Sequence, residues 1–361
     1  MPLSTGEGMS IVLGYPKNIT AVIEPRAYTA FSDTPAGKLI TMVLIVLAII
    51  TSVLWYLVAP GLIILNWWFH GRDPKPPQGQ AHVWFDIPKT KKLRPLTPGE
   101  TGTLIDQQAD MRDITATIVD LARRGFFKIV EKQKNDFYLV KNQVPPGEKL
   151  EPHEQTLFTN IFTGSRSEIR IKDADLIAPV TLAKNQLYDE VTNESLFEKN
   201  PQKVRVIYIV IGIFAIFTFN IQLAVIAFIF GYSMPKKTLF GAQANAVAQA
   251  LKNFLVSQSD QLAYQAKNQL FFEKMLPYAV AFGVEKIWAA RFADISMTKP
   301  DWYVGYHSGT FNSLILANAV SASMNHVVSA ATPTRSSSGY SSGFSGGFSG
   351  GGGGGGGGGS W

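Results

Sequence analysis

The chain has 361 residues, room for two or three modest domains, and a formal net charge of +6. Aromatic residues reach 12% while charged residues stop at 17%, a balance foreign to most cytosolic enzymes. Cysteine is absent, which excludes disulfides, thiolate nucleophiles and cysteine-ligated metals and leaves the redox compartment open.

Taken from the start, residues 1–37 hold one alternating stretch, MSIVLGYP, which reads as a lone strand flanked by turn residues. A lone strand has no independent stability, so this segment reads as the remnant of an extracytoplasmic β domain. Residues 38–70 follow as a transmembrane helix. From Leu39 to Phe69 there is no charge, and roughly 20 apolar residues suffice to cross a bilayer. No charged leader or small-residue cleavage site precedes the span, which argues against a cleaved signal peptide. Pro60 and Gly61 inside it predict a kink. Trp55, Tyr56, Trp67 and Trp68 suit either the interfacial belts or contacts with other helices. The basic runs HGRDPKPP and KTKKLRP come after the span. The positive-inside bias therefore places the start outside and the long middle region in the cytoplasm.

Residues 71–203 are punctuated as a soluble α+β domain. Thr97, Pro98 and Glu100 spell an N-cap, a first-turn proline and a capping-box acid. Asp110 caps a helix whose Ile114, Ile118, Leu121 and Ala122 share one face, and Gly125 ends it. FFKIVEKQKNDFYLVK predicts a hairpin, and a further helix runs from Pro152 toward Gly164. Helix, helix, hairpin is the order of a winged helix.

A second apolar region, residues 204–234, runs uncharged from Ile207 to Tyr232. Its length favours one crossing. Lys199, Lys203 and Arg205 before it and Lys236 and Lys237 after it favour a shallow hairpin bending near Asn220 and Gln222. Both readings stay open. Residues 235–332 predict a helical C-terminal domain with breaks or kinks at Pro277 and Gly283. Leu251, Phe254 and Leu255 share one helical face and Ile287, Ala290 and Arg291 another, while Trp288 and Phe292 form an aromatic ridge. Residues 333–361 read as a disordered, glycine- and serine-rich tail that ends in ten glycines, Ser360 and Trp361. Phe344, Phe348 and Trp361 are candidate stickers for a membrane or partner. If they are, deleting residues 339–361 alters localisation or complex formation.

GRDPKPP after a span, LTPGETGTL, ITATIVDLARRGFFKI, MLPYAVAFGVEKIWAARF and the terminal glycines with Ser-Trp together resemble the YciQ-like family of predicted bacterial membrane proteins, a domain of unknown function. The resemblance covers nearly the whole chain in the family's order. It implies a bacterial membrane protein and supplies no activity and no catalytic residues. Similar proteins carry a complete extracellular β domain before the first span, of which EGMSIVLGYPKN reads as the closing strand.

Signals for chemistry are weak. His70, His82, His153, His307 and His326 are scattered and form no metal-ligand spacing. GFSGG at residues 343–347 satisfies a nucleophile-elbow pattern around Ser345 literally, without the strand and helix that pattern needs. No catalytic, cofactor-binding or metal residue is assigned and no cofactor is expected. The winged-helix-like region has nearly balanced charge, so the sequence pI near 9.2 is not a nucleic-acid signal. Within Leu39 to Phe69 and Ile207 to Tyr232 no acidic or basic residue marks an ion path. The expectation is a multi-pass plasma-membrane protein, non-enzymatic, whose partners are the lipid bilayer and a protein or a second copy. The alternative is a membrane-tethered regulator that uses its winged helix on nucleic acid.

Overall fold

A computed structural model describes residue 14 and residues 29–79, 85–257, 269–293, 295, 297–306 and 311–332. The expected strand at residues 9–16, apart from Gly14, and the tail at residues 333–361 lie outside the described residues.

The first element, α1, is one continuous helix over Pro35–Gly71. Thr34 caps it, its hydroxyl accepting from the Gly37 amide at 3.0 Å, with Pro35 in the first turn. Proline at position 60 cannot donate to the carbonyl of residue 56. The helix absorbs this without a break by widening over Leu54–Val58, where the Ala59 amide reaches back to the Leu54 carbonyl. Its most apolar 18-residue stretch is entirely unburied. It is the one helix among the described residues long and apolar enough to cross a membrane.

The soluble body starts with α2 (Pro98–Asp106) and α3 (Met111–Arg123), each opened by a reciprocal capping box. Gly125, at φ +91°, closes α3 in the left-handed conformation, with the Phe126 amide on the Leu121 carbonyl at 3.0 Å. β1 (Phe127–Gln133) and β2 (Asp136–Lys141) pair antiparallel, Ile129 opposite Leu139. Then come α4 (Pro152–Ile161), β3 (Glu168–Arg170) and α5 (Ile177–Asn193).

The second apolar region divides into α6 (Pro201–Phe217) and α7 (Ile221–Tyr232), with the turn at Thr218–Asn220. The two arms fold back on each other as a helical hairpin. Small residues bring its arms close. A side chain on Gly231 would overlap Tyr208, and one on Gly212 would overlap the Phe228 ring. α8 (Leu239–Val256), α9 (Gln269–Ala281), α10 (Glu285–Ala290), β4 (Tyr303–Val304) and α11 (Ser313–Ala330) follow. Pro277 lies within α9, which passes it unbroken, and the chain turns instead at Gly283, φ +69°. In α10 the aromatic ridge packs as part of a helical core. Trp288, Ala289 and the following Phe292 enter the core while Ile287 is exposed, because the helix has under two turns and its aromatic ridge dominates the burial.

The segments on either side of the hairpin share one core. A single cluster holds Leu121 and Phe127 with Phe254, Phe272, Trp288 and Leu316. The sheet has the order β3-β2-β1-β4, so its last strand comes from the chain beyond the hairpin, Tyr303 pairing parallel to Ile129.

Candidate functional site

Two regions concentrate polar contacts that the sequence did not announce. The first is the junction between α1, the hairpin and the soluble body. Asn220 caps α7, its Oδ1 accepting from the Leu223 amide at 3.0 Å, and its Nδ2 donates to the Trp55 carbonyl at 2.7 Å. That carbonyl faces the widened turn ahead of Pro60, where the regular ladder is disturbed. Trp55 Nε1 donates to Thr218 Oγ1 and the Tyr56 hydroxyl to the Thr218 carbonyl, both at 3.2 Å. The hairpin tip is thus fixed about halfway along α1. Nearer the body, Asn66 Nδ2 donates to the Tyr208 hydroxyl at 2.8 Å. Arg72 lies over the rings of Trp67 and Trp68, 5.7 and 4.4 Å from their centroids.

At the base, Asp73 accepts from the backbone amide and the ammonium of Lys237, at 2.7 and 3.1 Å. Arg205 Nη1 donates to the Gln107 carbonyl at 2.8 Å, stitching α6 to the end of α2. Two cavities flank this junction. One, of about 470 Å3, is lined by Trp67, Arg72, Asp73, Asp106, Gln107 and Tyr232. The other, of about 400 Å3, includes Asn66, His70, Lys199, Val204, Tyr208 and Lys236.

The second region is a buried charge layer that joins α2, α3, α4 and α5. Arg94 forks onto Glu100 with bonds of 2.7 and 2.8 Å, and Glu151 stands 3.3 Å away. Arg124 spans Glu154 at 2.8 Å, Glu148 at 2.9 Å and Asp120 at 3.6 Å. His153, fully buried, meets Glu190 through Nδ1 at 2.7 Å and donates its backbone amide to the same carboxylate at 2.9 Å. Burial disfavours the imidazolium, yet the Glu190 hydrogen bond and charge, with Glu154 and Glu100 behind, raise the His153 pKa above its usual value. Burial pushes the Glu154 carboxyl up against the pull of His153 and Arg124. Asp113 is driven well above the usual carboxylate range by burial, with Asp110 and Asp106 adding to it. Its carboxylate packs where a side chain on Gly102 would overlap it, and it accepts from Thr103 Oγ1 at 3.1 Å.

These groups are interlocked rather than open to a substrate. Glu100, Glu154 and His153 have no exposed surface, so the arrangement can orient helices and store protons. The histidines stay apart: His70 is exposed at the end of α1, His153 lies in α4, and His326 sits 5.9 Å from the Phe137 ring. His82, His307 and Ser345 lie outside the described residues. Among the described residues no three potential metal ligands cluster. Trp288 donates to the Phe272 carbonyl at 3.3 Å inside the core. Glu100 was legible as a capping-box acid and Asp110 as the cap of α3, whereas the reciprocal bond from Asp113 was seen only in the structure. The burial of Glu100 and Asp113 was not legible, since it depends on helices that pack from elsewhere.

No curated protein and no solved structure matches this chain. Residues 80–292 match the family model described as the C-terminal domain of a predicted membrane protein, DUF2207. With more than half of its length matched, and with an unburied apolar helix leading into that region, the chain belongs to the DUF2207 family of predicted membrane proteins.

Proposed function

We propose that the chain is a non-enzymatic integral protein of the bacterial plasma membrane whose soluble body organises protein partners at the membrane surface. The single observation that carries this is the pairing of α1 with the hairpin. One long helix exposes apolar side chains all around, and a second apolar element packs against its body-proximal half through Trp55, Asn66 and Asn220. At about 1.5 Å per residue, α6 extends about 25 Å and α7 about 18 Å, short of a hydrocarbon core of about 30 Å. On this reading α1 crosses once and the hairpin enters and returns, so residues 85–200 and 235–332 share the cytoplasmic side. Their common core fits that arrangement, because one body cannot fold across a bilayer.

Nucleic acid is left out of the proposed partners. The helix that a winged helix would offer to a groove, α3, has residues 113–122 in the core, and its arginines are committed to Asp110, Asp120 and Glu154. The test is photo-cross-linking in intact cells from exposed positions of the body such as Lys134, Lys172 and Leu182. Reproducible recovery of one protein, or of a second copy, supports the scaffold. A blank result at every position, with the protein present in the membrane, removes it.

A further inference from the structure

We propose that the cavity of about 400 Å3 between the base of α1 and the base of the hairpin binds the headgroup of an anionic phospholipid; this rests on the membrane reading above. The cavity sits where the uncharged run of α1 ends, the level at which lipid phosphates lie. His70 borders it from α1, Lys199 from the approach to α6, and Lys236 from the exit of α7. Lys236 is paired with Glu198 at 2.9 Å, whereas no carboxylate among the described residues pairs with Lys199. Two ammonium groups against one carboxylate leave a net positive wall.

Tyr208 adds a donor. Its hydroxyl accepts from Asn66 at 2.8 Å, so its own proton is left to donate. The remaining wall is apolar, and it continues onto the outside of the hairpin. Val204 and Ile207 line the cavity, and Ile207 is 58% exposed. A phosphate would meet Lys199 and Tyr208 while an acyl chain ran along α6. Basic pockets between membrane helices on the cytoplasmic side recognise anionic headgroups by this combination. An ethanolamine headgroup would bring its own ammonium against Lys199, so the charge favours a headgroup with net negative charge, such as phosphatidylglycerol. Free glycerol phosphate offers the same phosphate without the chain that the apolar wall would hold.

The test is native mass spectrometry of the full-length protein in detergent, titrated separately with phosphatidylglycerol, phosphatidylethanolamine and glycerol 3-phosphate. Phosphatidylglycerol should be retained several-fold better than phosphatidylethanolamine, with glycerol 3-phosphate not retained. Lys199→Ala should weaken phosphatidylglycerol binding about fivefold, the worth of one basic residue near an anionic surface, and Lys199→Arg should keep it. Equal retention of the two lipids, or no change in a folded Lys199→Ala variant, overturns the proposal. Glycerol 3-phosphate bound as tightly as the lipid overturns the lipid assignment. Alkaline extraction of cell membranes separates the two failures. Protein that stays in the membrane but shows no lipid preference defeats this site alone, whereas protein released into the soluble fraction defeats the membrane reading itself.

Discussion

At the scale of single residues, Asn220 carries the most unusual duty. It is 1% exposed, caps α7 and ties the hairpin tip to Trp55. Asn220→Ala should cost about 1–2 kcal/mol, the range for a lost helix cap, and should lower the melting temperature in detergent; an unchanged melt would mean the tip is held by packing alone. His153 predicts a pH response. Its folded pKa lies above the ordinary imidazole value, so its stabilisation is fully present below that ordinary value and is lost as pH rises through the folded one. The raised carboxyls of Glu154 and Asp113 act in the same direction, because a folded state that binds protons more tightly weakens as they leave. Denaturant midpoints should therefore fall as pH rises above the ordinary imidazole value, and His153→Gln should flatten part of that slope. Arg124→Ala should be more damaging, about 3–5 kcal/mol, since it strands Glu154 and Asp120 without their counter-ion.

At the scale of elements, the hairpin depends on close backbone approach. Gly231 lies against Tyr208 and Gly212 against the Phe228 ring. In the proposed lipid setting, where chain tails are as apolar as the helices, such contacts supply much of the association. Gly231→Val should thus destabilise by about 1–3 kcal/mol through overpacking. Gly61→Ala is the matched control, because a side chain there meets nothing within 4 Å and glycine is the poorer helix former. Equal melting shifts for the two would show that helix propensity, not packing, sets the hairpin. The element scale also explains why α1 continues unbroken past Pro60. Widening over Leu54–Val58 takes up the proline locally, and the carbonyl of Trp55 finds Asn220.

At the scale of the whole molecule, the proposed membrane topology predicts sidedness. A reporter active on one side of the membrane, fused near Lys141 and again after Trp361, should report the same side from both positions. Opposite sides would require α6 and α7 to cross as one span, and the shared core could not then form. The helical caps, the β1–β2 hairpin and the long α1 were legible in the sequence because each is signalled by residues within a few positions of one another. Thr97 with Glu100, Asp110 at the head of its helix and the uncharged run from Leu39 are such local signals. The α6–α7 bend was not decidable, because length and flanking charge give opposite answers and the deciding contacts, Asn220 with Trp55 and Tyr208 with Asn66, join positions more than 140 residues apart.

By itself, then, the sequence determined a helix long and apolar enough to cross a membrane and a mixed α and β body, since hydropathy and capping act locally and need no partner. Only the tertiary structure decided that the stretches before and after the hairpin share one core, that β4 completes the sheet, and that Glu100, His153 and Glu154 are buried charges rather than surface ones. Burial and pairing are properties of what packs against a residue, and here those neighbours arrive from distant parts of the chain.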